Sequence, residues 1–220
     1  MSGPRLPAIA VFCRTPIAGK VKTRLQPPLS PEQALLLHVA CIEDVCAHLL
    51  PLRRDFDVFI FQSEPGKLPR ACAAFQGRLQ QGTDLGERML TAVTCLLEEQ
   101  HPSVLLFGTD LPHLDAKNLY QALEWLSRVE VVIGPSRDGG YYLLGLSSSL
   151  PFLFRRMVWG SDAVLAETLH RLKKHELTHY LMETCFDLDR ADDLKRLLSS
   201  PDAARAPRTV AFIEQIKSLL

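Results

Sequence analysis

Short apolar runs, each about the length of one strand, alternate along this chain with longer segments carrying apolar residues at helical spacing, and no other feature narrows the possible folds as much. Ala8–Cys13 is one such run. Ser30 then supplies an N-cap, Pro31 a first helical position and Gln33 the partner of a capping box, so residues 30–50 read as a helix. Phe56–Gln62 alternates as a strand and Leu79–Gln81 reads as a shorter one; Asp84 with Glu87 opens a helix whose Met89, Leu90, Val93, Leu96 and Leu97 share a buried side. Val104–Phe107 is apolar throughout, the mark of a strand covered on both faces, and Asp115 caps the helix after it. Val129–Gly134 and Tyr141–Leu146 read as strands around a turn at Ser136–Gly140. Ser161 or Asp162 starts another helix, Asp189 with Asp192 the next, and Ser199–Arg208 looks like a linker before a short C-terminal helix. The pattern is that of an α/β protein with a mostly parallel sheet and helices on both faces. Ligands of such sheets sit outside the carboxyl ends of the strands.

At 220 residues and 47% hydrophobic content, one domain spanning 1–220 is the simplest organisation. Lys plus Arg and Asp plus Glu both number 25, so net charge exerts no pull toward nucleic acid or an anionic membrane. Any polyanion site has to be local. The six cysteines form no C-x-x-C pair and mostly sit in apolar runs, which fits reduced thiols and a cytoplasmic location. Met1–Pro7 has no apolar stretch of leader length, and the apolar runs are shorter than the roughly 20 residues of a membrane span, so a soluble protein is expected.

Arg14, Lys20, Lys22 and Arg24 follow the first strand directly, in a loop that also holds Gly19. Four cations there repel one another unless an anion sits among them, and a guanidinium grips two phosphate oxygens where an ammonium acts as a point charge. A solvated basic loop is the plain alternative; the position at a strand's carboxyl end favours phosphate. Val21 after Gly19 and Lys20 excludes a Walker loop, and no G-x-G-x-x-G turn is present. Asp110, closing the strand Val104–Phe107, faces the same crevice, and its hard oxygen suits Mg²⁺ or Mn²⁺ shared with substrate phosphates. Asp187 and Asp189, two apart, point to one side if that segment is a strand, whereas Asp189 alone could be an N-cap. Asp138, Gly139, Gly140 and Tyr141 with Tyr142 offer close backbone approach to a substrate and aromatic faces, or merely a tight hairpin. Gly82, Asp84 and Gly86 bring a small-residue loop into a helix N-terminus, which attracts anions. His113 is near enough to Asp110 in sequence to touch a substrate, while H-E-x-x-H, Cys/His zinc spacing and G-x-S-x-G are all missing.

Taken together, residues 8–25, 82–89, 108–112 and 138–142, with Asp187, Asp189, Asp192, Asp193 and Leu194, resemble the radical-SAM/selenodomain-associated transferase family over about Ala8–Leu198. That resemblance implies a GT-A, or nucleotide-diphospho-sugar transferase, fold: a single-domain three-layer sandwich around a mostly parallel mixed sheet. It implies a glycosyltransferase-like activity, with Asp110 and Asp189 as metal ligands and Lys22 and Arg24 on phosphates. The basic loop is also similar to that of 2-phospholactate guanylyltransferase and, more distantly, of the molybdenum-cofactor guanylyltransferases, which makes nucleotidyl transfer the alternative reaction. Two positions depart from the pattern. Arg190 and Ala191 stand where Thr-Pro is expected, and Thr109-Asp110 is not a full Asp-x-Asp. A nucleotide or nucleotide-sugar donor and a small acceptor are the expected partners. A non-catalytic nucleotide-binding module is the third reading.

Overall fold

The first strand, β1 (Ala8–Cys13), shows how the layers are built, because every residue of it has an apolar neighbour to meet. Ile9, Val11 and Cys13 enter one core cluster, and Ala8 and Ala10 enter a second on the opposite face of the sheet. Alternating side chains of a strand point to opposite faces, so two apolar faces demand two helical layers. The computed structural model describes residues 5–220; the first part of the segment read above for a leader, Met1–Pro4, lies outside the described residues.

Helix α1 (Pro31–Leu49) begins at the capping box read from the sequence, Ser30 Oγ accepting from the Gln33 amide at 3.2 Å and Gln33 returning the bond to the Ser30 N–H at 2.9 Å. It is followed by β2 (Asp57–Gln62), β3 (Gln76–Leu79), α2 (Leu85–Glu98), β4 (Val104–Gly108), α3 (Ala116–Leu126), β5 (Val131–Pro135) and β6 (Tyr141–Leu146). The chain then adds the single turn α4 (Pro151–Phe154), α5 (Val164–Lys174), β7 (His179–Leu181), α6 (Ala191–Ser199) and α7 (Pro207–Gln215). Helices α1 and α3 cover one face through residues such as Ile42, Val45, Leu119 and Ala122. The other face is covered by Met89, Val93 and Leu96 of α2 with Phe154 and Leu172. Each fully buried Leu, Ile, Val or Phe here contributes about 1.5–3 kcal/mol relative to exposure.

The seven strands run in the order β3-β2-β1-β4-β6-β5-β7, all parallel where paired except β6, which is antiparallel to β4 and β5. From β1 the chain winds outward through β2 to β3, then crosses back by α2 to β4 on the other side of β1. The order therefore reverses between β1 and β4, and a crevice opens outside their carboxyl ends. Because β6 runs the other way, its first residues, Tyr141 and Tyr142, arrive at that same rim.

Helix α1 carries a second apolar side. Ala34, Leu37 and Cys41 meet Phe186, Leu188, Leu194, Leu197 and Ile213 in a third cluster that seats α6 and α7. Asp44, wholly buried in α1, accepts from the Arg208 and Thr209 backbone N–H groups at 3.2 and 2.8 Å, so one helix caps the N-terminus of another. Burial on both sides explains why residues 31–54 are long and apolar enough to cross a bilayer, with mean hydropathy 1.6, although 56% of the apolar window is inside the fold. This corrects the expectation that no segment reaches that length.

Other boundaries move. The strand expected at Leu79–Gln81 occupies Gln76–Leu79, set by pairing with Phe59–Gln62. Neither Ser161 nor Asp162 caps α5, which starts at Val164. The linker-like 199–208 holds a 3-10 turn, Pro201–Arg205, packed beside α6 and α7. Asp187 and Asp189 lie in no named strand, only an isolated bridge of Cys185 to Ser136 preceding them.

Candidate active site

Val21 and Leu25, both with no exposed surface, pin the basic loop to the core, and of the three residues between them Lys22 is turned inward while Thr23 and Arg24 stay exposed. Lys22 takes up a left-handed backbone conformation (φ 48°, ψ 39°), which is unfavourable for a residue with a Cβ and needs compensation. The compensation is electrostatic. Its side chain is only 2% exposed, and Nζ donates to Asp110 Oδ1 at 2.6 Å and to the Leu188 carbonyl at 2.7 Å, with Asp189 Oδ1 at 3.8 Å. Arg24, outside it, pairs with Asp189 Oδ2 at 3.1 Å. Cations from the start of the chain and carboxylates from its far end thus share one crevice.

The backbone holds this arrangement from the acidic side. The Leu188 N–H donates to the Asp110 carbonyl at 3.0 Å, tying the 187–189 segment to the end of β4. Asp189 is not the cap of α6: Asp193 Oδ2 accepts from the Asp189 and Arg190 N–H groups at 3.2 and 2.8 Å, which leaves the Asp189 carboxylate to face the cations. Burial would push Asp110 up, but the Lys22 ammonium brings its carboxyl below the usual range, and the Lys22 ammonium is correspondingly raised against its own burial. Asp187 goes the other way: burial, then the charges of Asp110, Asp189 and Asp138, push its carboxyl up to about 8. Asp189 is raised for the same reasons, burial first and Asp110 second, despite its two cationic neighbours. Among the described residues, however, no three carboxylate, imidazole or thiol groups converge closely enough to enclose an ion.

A cleft of about 690 Å³ opens beside this cluster. Arg14, Lys20, Asp110, Asp187 and Tyr141, all expected at the site, line it. Lys22, Arg24 and Asp189, also expected there, are not lining residues; they adjoin the cleft through the ion pairs that link them to Asp110. Gly19 sits exposed in the same loop. Asp138 is folded onto its own turn, its Oδ1 accepting from the Gly140 N–H at 3.0 Å and from Ser136 Oγ. Asp84 caps α2, accepting from the Glu87 N–H at 2.8 Å, and Glu87 in turn accepts from Thr83 N beside Gly82. Gly86 does not line the cleft: a Cβ there would run into the Trp159 indole and the Phe154 carbonyl, so its role is close packing of α2. His113 is turned away from the cleft, buried and tilted against Phe186 with ring centroids 4.5 Å apart, and burial lowers its pKa to about 4.

Several lining residues escape the sequence reading. Ser63 and Glu64 follow β2, and Gln80 follows β3, so the strand-end rule that found Arg14 and Asp110 applies to them equally. Ser63 Oγ accepts from the Thr15 N–H at 3.0 Å, and Glu64 pairs with Lys20 at 3.2 Å, which binds the two loops into one wall. Leu85, Arg88 and Met89 of α2 complete it.

This strand order and crevice are those of the nucleotide-diphospho-sugar transferase fold. A crystal structure from Desulfovibrio desulfuricans G20, named as a nucleotide-diphospho-sugar transferase on a provisional assignment, matches 95% of this chain and 97% of its own at 28% identity, TM-score 0.78. The chain belongs to the family described as "uncharacterized protein conserved in bacteria (DUF2064)", whose model matches residues 51–161 and so takes in Asp110 and the 138–142 turn. A cytidylyltransferase from Leptospira borgpetersenii (13% identity, 98% and 96% covered, TM-score 0.56) shares the fold. So does a CMP:2-keto-3-deoxy-manno-octonic acid synthetase complexed with CTP (10%, 92% and 99%, TM-score 0.56). No curated protein matches the sequence.

Proposed function

We propose that this chain transfers a sugar from a nucleotide sugar to a small acceptor, gripping the donor's diphosphate between the basic loop and a divalent cation on the facing aspartates. The observation that carries the reading is the Lys22 ammonium bonded to Asp110 at 2.6 Å and to the Leu188 carbonyl at 2.7 Å, which joins both halves of the site. The name of the Desulfovibrio relative supports it, at 28% identity over nearly the whole chain. The donor set fits Mg²⁺ or Mn²⁺: the oxygens are all carboxylate, the Asp110 side chain is 45% exposed, and burial together with the charges of Asp110, Asp189 and Asp138 raises the Asp187 carboxyl, a crowding of negative charge that a cation would relieve. Asp110, Asp189 and Asp187 would hold the ion together with substrate phosphates and water, so the protein need not enclose it alone. Once bound, it would supply positive charge on the departing phosphates.

In this reaction an acceptor hydroxyl attacks the anomeric carbon while the bond from that carbon to the β-phosphate oxygen breaks, its electrons leaving on the nucleoside diphosphate. Arg14, Lys20, Lys22 and Arg24 hold the charge that develops on the leaving group, and the hydroxyl proton passes to a carboxylate or water. Tyr141 lines the cleft, and with the adjoining Asp138–Gly140 turn it would face the acceptor.

A second reading, nucleotidyl transfer with pyrophosphate release, is favoured by the number of cations: Arg14 and Lys20 on the cleft wall add to Lys22 and Arg24 beside it, and a triphosphate could use all four. Incubating purified protein with Mg²⁺, candidate acceptors and a panel of nucleotides and nucleotide sugars separates the two. Nucleoside diphosphate release supports sugar transfer, pyrophosphate release supports nucleotidyl transfer, and metal-dependent binding without turnover favours a non-catalytic module. Lys22→Ala combined with Arg24→Ala should raise the nucleotide dissociation constant at least about tenfold, or about 1.4 kcal/mol. Asp110→Asn should weaken Mg²⁺-dependent binding with the fold intact by circular dichroism; unchanged binding removes Asp110 from the metal site.

A further inference from the structure

Among the buried residues of α1, the polar exceptions are His38 and Asp44, and Asp44 is accounted for by α7. His38, 2% exposed, has its Nε2 at 2.9 Å from the carbonyl oxygen of Arg14, and its Nδ1 has no protein partner. A carbonyl only accepts, so Nε2 carries the proton and donates. Asp110, Lys22 and Arg14 all act electrostatically on the ring, so it lies close to residues of the proposed phosphate crevice.

The peptide that His38 reaches is the first after β1, where the chain leaves the sheet and becomes the basic loop. It is held from three directions. His38 fixes the Arg14 carbonyl, Ser63 Oγ accepts from the next amide, Thr15 N–H, at 3.0 Å, and the Arg14 guanidinium reaches the Lys20 carbonyl at 3.4 Å. Without the imidazole the carbonyl would keep only the weak Cys13 thiol at 3.3 Å. The loop's exit would then be held from the β2 side alone, by Ser63 and Glu64 on Thr15.

From these contacts we infer that His38 is a positioning residue of the phosphate loop: by holding the Arg14 peptide it sets the direction from which the loop's cations meet a phosphate. This rests on the phosphate crevice of the proposed function. A histidine that merely satisfies a core carbonyl would, by contrast, affect stability alone. The role is independent of base and sugar, so the probe is inorganic pyrophosphate with Mg²⁺, titrated calorimetrically into the full-length protein. His38→Phe keeps the ring's volume without a donor, His38→Gln keeps an N–H donor, and Val45→Ala removes packing from α1 in the apolar core on the α1 face of the sheet. His38→Phe is expected to raise the pyrophosphate dissociation constant at least about fivefold, or about 1 kcal/mol, with His38→Gln close to wild type. Val45→Ala should lower the thermal midpoint without changing affinity. If His38→Phe does not fold, His38→Leu takes its place. Wild-type affinity in the donor-free variant, or an equal loss in Val45→Ala, overturns the inference and leaves the crevice standing. A wild-type protein that binds neither pyrophosphate nor any nucleoside diphosphate or triphosphate overturns the proposed function and this inference together.

Discussion

Asp187→Asn should make the protein's stability less sensitive to rising pH. An ordinary aspartate ionises near pH 3.9, whereas in the folded chain burial and the charges of Asp110, Asp189 and Asp138 hold the Asp187 proton on up to about pH 8. The folded state therefore keeps a proton that the unfolded chain has already lost, and stability falls as pH rises between those two values. At about 1.4 kcal/mol per unit the ceiling over that window is roughly 6 kcal/mol. Because part of the residue reaches solvent, about 1–2 kcal/mol is the expected share between pH 5 and 8. Asparagine has the shape of the protonated acid and nothing to titrate, so the variant should match wild type only near pH 4 and should lead by a margin that widens from pH 5 to pH 8. For a chain of this size that is a gap of roughly 2–8 °C in thermal midpoint. The assay is thermal unfolding by circular dichroism at pH 5, 6, 7 and 8 in divalent-free buffer. Parallel pH profiles for the two proteins would show that Asp187 does not carry the strained proton, and the account of the crowded acidic cluster would fall with it.

If Mg²⁺ binds this cluster it must displace that proton, so binding at pH 7 should release close to one proton in wild type and markedly less in Asp187→Asn, read from calorimetry in buffers of different ionisation enthalpy; equal release in both would place the ion elsewhere. Asp44→Ala strips the cap from α7 and leaves the Arg208 and Thr209 N–H groups unpaired, which should destabilise by about 2–4 kcal/mol in urea unfolding; a change below 1 kcal/mol would mean that α7 is held by apolar contacts alone. Gly139→Ala places a Cβ against the Asp162 carbonyl at a residue with φ 88°, so it should disrupt the 136–140 turn and destabilise by about 2 kcal/mol or more; a variant as stable as wild type would refute the close approach.

How far the sequence reading reached can be judged from particular elements. β1 and α1 were legible because each is fixed by its own residues: an apolar run buried on both faces, and a capping box with proline at the first position. β7, His179–Leu181, is three residues long with both ends exposed, and only its pairing to Val131–Ile133 makes it a strand. β3 was misplaced because Gln76, Gly77 and Arg78 have no strand-like pattern until β2 offers them partners. Lys22, Arg24, Asp110 and Asp189 are marked in the sequence by charge and by position after a strand or before a helix, and the fold brings these four together. The left-handed turn of Lys22 could not be read from composition, since it is imposed by the anchors Val21 and Leu25 and repaid by carboxylates far along the chain. Glu64 and Gln80 were overlooked because no charge cluster marks them. His113 reads from the sequence as a surface turn histidine before it reads as a substrate contact, and it is neither, because tertiary packing buries it against Phe186.

The bond between Lys22 and the carbonyl of Leu188 spans 166 positions of sequence. A ribosome that has delivered β1 through β4 has made the scaffold of the cleft, yet the ammonium of Lys22 still lacks two of its three oxygen neighbours, and α1 has one flank bare until α6 and α7 emerge. The proposed site is therefore completed only when the last fifth of the polypeptide docks, and a chain that stops short of that segment is left with an apolar helix face uncovered.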